Sequence, residues 1–172
     1  MNRSSIKALF FVVIISVASS CKMNYSFTGA SIAPDVKTVS IQYFPNYAPL
    51  AQPLLSQEFT EALRNIFLSQ TNLNLVERNG HLHFEGSITG YSTMPVAIQA
   101  GQISQASYNR LTITVNVKFI NTKDETQNFE ASFNRFTDYD SSKNLSDVEM
   151  VLIKEINDQL VQDIFNRAVS NW

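Results

Sequence analysis

The sequence has one cysteine, five glycines and five prolines among 172 residues, and only 16% of its residues are charged. A single cysteine excludes an internal disulfide and any paired-cysteine motif. The chain also lacks a phosphate-binding loop and a Gly-x-Ser-x-Gly motif, which removes the usual signals of nucleotide binding and serine hydrolysis. The hydrophobic fraction of 44% indicates a globular domain that builds its own core.

The first twenty residues have the pattern of an export signal. Arg3 and Lys7 form a positive n-region, and the apolar run ALFFVVIISV follows it directly. A membrane-spanning helix needs about 20 apolar residues, so this shorter run predicts a signal peptide over residues 1–20 rather than a span.

The only cysteine, Cys21, directly follows the small residues Ala18, Ser19 and Ser20. This arrangement resembles a bacterial lipobox, although most lipoboxes carry leucine at the position of Ala18. We expect Cys21 to be the first mature residue and to carry acyl chains, so that residues 21–35 form a lipidated tether. The alternative is a plain secretory signal followed by an unrelated cysteine.

The charge balance is mildly acidic, with a formal net charge of −2. Loss of Arg3 and Lys7 with the signal peptide would make the mature chain more acidic. The remaining basic residues, Arg64 and Arg78 among them, are scattered, which predicts solvated surface cations. We therefore expect no nucleic-acid partner, since nucleic-acid binding depends on clustered positive charge.

Residues 36–172 predict a single α+β domain. Apolar residues alternate in several segments and recur at steps of three and four in two others, which predicts strands and amphipathic helices respectively. The predicted strands are 36–44, 73–77, 81–92, 110–120 and 128–136, and the predicted helices are 54–70 and 144–172. Each helix has one apolar stripe and the sheet has one apolar face. The expected fold is therefore a two-layer sandwich, with two helices on one face of a mostly antiparallel four- to five-stranded sheet.

The alternation assigns the side chains of each strand to an inner or an outer face. Ser146 and Glu149 are predicted to form a capping box at the start of the second helix. The inner rows are Val39, Ile41 and Tyr43; Leu82, Phe84, Gly86, Ile88 and Gly90; Leu111, Ile113, Val115, Val117 and Phe119; and Phe129, Ala131 and Phe133.

Signals of catalysis or metal binding are weak. His81, His83 and Glu85 alternate on one strand, and three ligands about 6.6–7 Å apart along one strand converge poorly on an ion. A solvated strand face accounts for them better. Asp138 and Asp140 lack the glycine and distal glutamate of a calcium loop, so a turn is the better interpretation. We expect no catalytic residue, no cofactor and no metal.

Four stretches follow one another along the chain: YSFTGASIAPDVKTVSIQYFPN, FTEALRNIF, LHFEGSITGYSTMPVAI and YNRLTITVNVKFIN. In this order they resemble the LptE family, the lipopolysaccharide-assembly lipoproteins of Gram-negative outer membranes. Together they cover almost all of the chain from Cys21 to Trp172. The resemblance implies two helices on a four-stranded or slightly larger sheet.

The resemblance also implies partners. Members of this family occupy the large β-barrel LptD as a plug and assembly factor, and the pair inserts lipopolysaccharide into the outer leaflet. Arg110 and Lys118 are the positions that we expect to contact lipopolysaccharide. Lys22 follows the cysteine where an inner-membrane retention signal would have aspartate. This favours anchoring in the outer membrane, facing the periplasm and the barrel lumen.

Two other classes of function stay open. The first is a free-standing periplasmic lipoprotein that binds a lipidic or small ligand without a barrel partner. A hydrolase is a more distant alternative. Co-purification with a large barrel protein would separate the first alternative from the family function.

We predict that Cys21 is the mature N-terminal residue and is acylated. Intact-mass measurement of the protein purified from membranes should show the mass of residues 21–172 plus the acyl groups. Cys21→Ser should leave a soluble or uncleaved precursor. An unmodified mature cysteine would show that the lipobox interpretation is wrong.

Overall fold

The computed structural model describes residues 32–49, 51–96 and 108–169. The predicted signal peptide, Cys21, Trp172 and the segment 97–107 lie outside them. Within the predicted tether, Ile32 packs against the core, and the Val36 amide donates to the Ala33 carbonyl at 3.0 Å to close a turn. The boundaries at residues 20 and 35 stay predictions.

Among the described residues, five strands and two helices form the domain. In chain order they are β1 (Thr38–Ile41), α1 (Leu55–Gln70), β2 (Asn74–Leu75), β3 (Leu82–Val96), β4 (Tyr108–Asn121), β5 (Phe129–Asp140) and α2 (Leu145–Val169). A single 3-10 turn, Glu125–Gln127, connects β4 to β5.

The sheet has the order β2-β1-β3-β4-β5. β1 is parallel to both of its neighbours, whereas β3, β4 and β5 form a long antiparallel ladder. The sheet is therefore mixed. The predicted α+β class, with two helices and a mostly antiparallel sheet of up to five strands, is confirmed.

The core lies between the helices and one face of the sheet. All five predicted inner residues of β4, Leu111 to Phe119, are buried. Phe67 of α1 packs against Phe84 of β3 and Phe165 of α2, with ring centroids 4.9 and 5.0 Å apart. Aromatic contacts of this kind add to the free energy gained from burial. They connect both helices to the same sheet face.

The inner row of the edge strand β5 is only half buried. Phe129 and Phe133 pack against the core from its border. Their partial exposure follows from their position, because β5 has a neighbour on one side only. The guanidinium of Arg167 covers the ring of Phe129 at 4.6 Å.

Tyr43 and β2 depart from the sequence prediction. β1 ends at Ile41, so the alternation does not continue, and Tyr43 is 57% exposed instead of inward. The predicted strand 73–77 is reduced to Asn74 and Leu75. A strand this short leaves part of the β1 edge uncovered.

A bulge in β3 exchanges the inner and outer faces of the residues that follow it. Ile88 pairs with Val115 and Gly90 with Thr114, which leaves Thr89 without an opposite residue. An extra residue shifts the period-two alternation by one position. Gly90 therefore lies on the outer face, contrary to the predicted row, and Tyr91 turns inward to the core.

Tyr91 and Glu149 account for the failure of the predicted capping box. α2 begins at Leu145, so Ser146 is already inside the helix. The Glu149 carboxylate is buried, and it accepts hydrogen bonds from the Tyr91 hydroxyl and from Gln52 Nε2. Desolvation, followed by the hydrogen bond to Glu149, raises the pKa of Tyr91 well above its ordinary value.

Gly86 provides space in the inner row of β3. A Cβ atom at this position would lie 2.0 Å from the Asn116 carbonyl oxygen and 2.6 Å from Cε1 of Phe44. Phe44 is fully buried. The absence of a side chain at Gly86 therefore lets the chain after β1 pack against the sheet.

We predict that Leu111→Ala lowers the free energy of unfolding by about 2–5 kcal/mol, the usual result of truncating a fully buried leucine. Leu68→Ala is the matched control, since Leu68 is 49% exposed on α1 and should change stability by about 0.5 kcal/mol or less. Urea unfolding measures both. Equal effects of the two substitutions would mean that the inner face is assigned wrongly.

Candidate partner-binding surface

The side of β3, β4 and β5 that points away from the helices is the candidate surface, which we call the open face. Its side chains follow from the register of the three strands. They are Glu85, Ser87, Gly90, Ser92 and Met94 of β3; Arg110, Thr112, Thr114, Asn116 and Lys118 of β4; and Glu130, Ser132, Asn134, Phe136 and Asp138 of β5. Asn128 begins the predicted strand 128–136, whose alternation assigns it to the outer face. It instead accepts a hydrogen bond from the Asn121 amide at 2.7 Å, in the β4–β5 turn.

The middle of the open face is uncharged. Thr114 lies between Gly90 and Asn134, and Asn116 lies between Ser87 and Ser132. Hydroxyl and amide groups of this kind both donate and accept hydrogen bonds. The centre of the surface is therefore well suited to contact another polar surface, and it carries no charge that would have to be desolvated.

Lys118 occupies one end of the open face. Its Nζ lies 2.6 Å from Oε1 of Glu85. This hydrogen bond is the main cause that lowers the pKa of Glu85 and raises that of Lys118. An open cavity of about 510 Å³ lies beside the pair and is also lined by Glu130.

Arg110 occupies the opposite end. Its Nε and Nη2 donate to the two carboxylate oxygens of Asp138 at 2.7 and 2.8 Å, and this bonding lowers the pKa of Asp138. The guanidinium also lies 3.7 Å from the centroid of the Phe136 ring. A planar cation held by a carboxylate and an aromatic ring at once is well ordered.

The structure does not bring Arg110 and Lys118 together. Lys118 follows Arg110 by eight positions on β4, which corresponds to about 27 Å at the usual rise of a strand. Each is already paired with a carboxylate of its own chain. If both contact lipopolysaccharide, they do so as two separate contacts at opposite ends of the open face.

An exposed apolar group, which the sequence prediction did not include, lies at the Arg110 end. Phe136 is 46% exposed and Met94 is 61% exposed. Phe136 stands where the alternation of β5 calls for a polar residue, so a break in the polar row was the signal that could have revealed it. Exposed aromatic and methionine side chains are enriched at protein interfaces.

His81, His83 and Glu85, which were considered as metal ligands, have other hydrogen-bond or ion-pair partners. His81 Nδ1 accepts from the Lys37 amide at 3.0 Å. His83 contacts the hydroxyl of Ser40 through Nδ1 and the amide of Gln42 through Nε2, and Glu85 is paired with Lys118. Within residues 32–49, 51–96 and 108–169, no group of three or more metal-ligating side chains comes together.

Asp138 and Asp140, the other pair considered for metal binding, also belong to separate structures. Asp138 binds Arg110 across the sheet, whereas Asp140 accepts from the Ser142 amide at 2.8 Å. The predicted turn is confirmed at Asp140 and wrong at Asp138, because β5 continues to Asp140 instead of ending before these residues.

A protein-family model also matches the chain. The model described as "LptE: Lipopolysaccharide-assembly" matches residues 36–168. The chain belongs to the LptE family. The match spans β1 to α2 and therefore includes the whole open face of this LptE-family chain.

Solved structures are similar to the chain at low sequence identity. A neuraminyllactose-binding hemagglutinin homologue from Helicobacter pylori is 11% identical with a TM-score of 0.53, over 83% of this chain and 88% of that one. A minor lipoprotein from Acinetobacter baumannii is 12% identical with a TM-score of 0.49, over 77% and 91%. The rare lipoprotein B of Shewanella oneidensis is 17% identical with a TM-score of 0.41, over 76% and 92%. No curated protein sequence matches the chain.

We predict that the stability of this LptE-family domain does not depend on a metal. Because His83 and Glu85 already have partners, EDTA should leave the melting temperature unchanged, and added Zn²⁺ should not raise it. Thermal unfolding followed by circular dichroism is the measurement. A clear fall in melting temperature with EDTA, absent in a His81→Ala, His83→Ala double variant, would establish a metal site.

Proposed function

We propose that the chain is an outer-membrane lipoprotein that occupies and helps assemble an LptD-type β-barrel and so assists the insertion of lipopolysaccharide into the outer leaflet. Membership of the lipopolysaccharide-assembly family supports this role. Cys21 would supply the anchor at the periplasmic face. In the described part of the chain, no helix is long and apolar enough to cross a membrane.

The observation that carries the proposal is the composition of the open face. Arg110 and Lys118 at its two ends are paired with Asp138 and Glu85, and its centre consists of hydroxyl and amide groups. Among the described residues Glu130, beside Lys118, forms no ion pair. The lumen of a large membrane barrel is lined by polar side chains. Two such surfaces can form a specific contact through direct and water-mediated hydrogen bonds, in which the centre of the open face buries no charge.

The dimensions of the open face also fit a barrel. The distance of about 27 Å from Arg110 to Lys118 is close to the height of the apolar band of a membrane barrel, about 25 Å. The ladder of β3, β4 and β5 could therefore lie along the lumen wall. Phe136 and Met94 at one end would act as apolar anchors, because a few aromatic and other large side chains usually supply most of the binding energy of an interface.

Arg110 and Lys118 stay proposed contacts for lipopolysaccharide, in a modified form. To bind an anionic group of the lipid, each cation must either leave its carboxylate or share it. Lys118 is 49% exposed, and exposed pairs contribute little to stability, so the exchange costs little there. Arg110 is 34% exposed and forms a bidentate pair, so its exchange costs more. Asp138 and Glu85 would compete with other anions, so that anions of lower affinity would not bind the two cations.

The decisive experiment is an affinity pull-down of the tagged protein from detergent-solubilised membranes. The wild-type chain should recover a large barrel protein. Thr114→Lys combined with Asn116→Asp places two charges in the neutral centre of the open face, and recovery should fall at least about tenfold. That factor corresponds to about 1.4 kcal/mol of binding free energy.

A matched control places the same charges elsewhere. Gln57→Lys with Asn65→Asp introduces one cation and one anion on the exposed side of α1 and should leave recovery unchanged. Circular dichroism confirms that both double variants are folded. If the open-face variant still recovers the barrel at the wild-type level, the docking surface lies elsewhere. If the wild-type chain recovers no barrel, the result supports the alternative of a free-standing lipoprotein.

A further inference from the structure

A second concave site lies at the edge of the sheet formed by β2 and β1. It is an open cavity of about 700 Å³, located where β2 ends after two residues and leaves the end of β1 uncovered. Residues from β1, α1 and the segment after β2 meet there. The lining consists of Ile41, Gln42, Tyr43, Arg64, Leu75, Val76, Glu77 and Arg78.

Two arginines give this cavity its charge. Among the described residues, neither Arg64 nor Arg78 forms an ion pair, in contrast to the four cations that do, which are Arg110, Lys118, Arg135 and Lys154. Glu77 is the one carboxylate in the lining. The cavity therefore has a surplus of positive charge within a chain whose net charge is negative.

Arg64 is held in place before any ligand binds. It is half buried, and its Nη2 donates to the Ile41 carbonyl at 3.0 Å. The other N–H groups of the guanidinium remain able to bind an anion. A fixed, planar donor loses less conformational entropy on binding than a freely rotating side chain.

The same cavity exposes apolar surface. Tyr43 is 57% exposed and Leu75 is 38% exposed, and both belong to the lining. Large apolar side chains beside unpaired cations form an amphipathic site. Such a site is complementary to a ligand that has an anionic head and an apolar body.

We propose that this cavity binds a phosphate monoester carried on an apolar chain. Two guanidinium groups match the two charges of a phosphate monoester and can each form paired hydrogen bonds with its oxygens. Tyr43 and Leu75 contact the apolar part. Glu77 opposes the anion and limits the affinity. The cavity adjoins the open face, since Gln42 and Tyr43 also line the cavity beside Glu85 and Lys118. The proposal does not depend on the barrel partner, because none of the residues that line the cavity belongs to the open face.

Isothermal titration calorimetry of the full-length protein in a non-ionic detergent tests the site, with dihexanoyl phosphatidic acid as the probe. Arg78→Gln removes one cation at an exposed position and should weaken binding about tenfold or more, as expected for the loss of charge-assisted hydrogen bonds. Glu77→Gln removes the opposing carboxylate and should tighten binding severalfold. Lys143→Gln, the control, removes an exposed cation far along the chain and should have no effect.

Two further ligands separate the contributions of head and chain. Dihexanoyl phosphatidylcholine, with the same chains and no net charge, should bind at least tenfold more weakly than the phosphatidic acid. Inorganic phosphate should also bind at least tenfold more weakly. Equal binding of inorganic phosphate would overturn the role of Tyr43 and Leu75, and equal binding of phosphatidylcholine would overturn that of the arginines.

The pull-down of the barrel keeps this proposal separate from the proposed function. Arg78→Gln should recover the barrel as the wild-type chain does. Phosphatidic acid that fails to bind wild-type protein, or binds Arg78→Gln and Glu77→Gln like wild type, would overturn the proposal whatever the barrel result. Loss of the barrel with intact binding of the lipid would overturn the function and leave the site.

Discussion

The strict alternation of β4 is the constraint on which the rest of the structure depends. The strand pairs along nearly its whole length with β3 on one side and β5 on the other, and its inner row from Leu111 to Phe119 is buried. A slip of one residue would exchange every apolar side chain with a polar one. The free energy of burial therefore fixes the register, and both helices must lie on the same face. The opposite face is left polar and uncovered.

The bulge at Thr89 is the main interruption of the regular alternation in the sheet. Beyond it, β3 presents Tyr91 to the core instead of Gly90. The Tyr91 hydroxyl donates to the buried carboxylate of Glu149, which also binds Gln52. One polar cluster thus joins the sheet, the start of α2 and the segment before α1. Both faces of the sheet are affected, because the same shift places the outer row Ser92 and Met94 in line with Thr112 and Arg110.

The sequence was sufficient for the fold where burial decides. The inner row of β4 and the apolar stripe of α2 from Leu152 to Ile164 follow from periodicity alone, and the structure confirms them. Where one residue or one polar contact decides, periodicity fails. Tyr43 faces out because β1 ends at Ile41. Ser146 and Glu149 have the spacing of a capping box, yet the carboxylate binds distant residues in the core.

The candidate surface was only partly accessible from the sequence. The polar outer rows of β4 and β5 were predicted, whereas the ion pairs between β3 and β4 and between β4 and β5 depend on the register, which no single strand contains. In the sequence, Arg110 and Lys118 are both isolated basic residues. The structure shows that each forms an ion pair with a carboxylate. Arg64 and Arg78, two of the described cations that form no ion pair, line one cavity because β2 ends early, and no residue pattern predicts that end.

Site-specific photo-crosslinking in cells tests the central claim, that the open face is the surface that meets a barrel. A photoreactive residue in place of Ser132, at the centre of that face, should give a crosslink to a large outer-membrane barrel protein. The same residue in place of Glu155, which is exposed on α2, should give none. A barrel crosslink from position 155 but not from 132 would contradict the account and place the helices against the lumen.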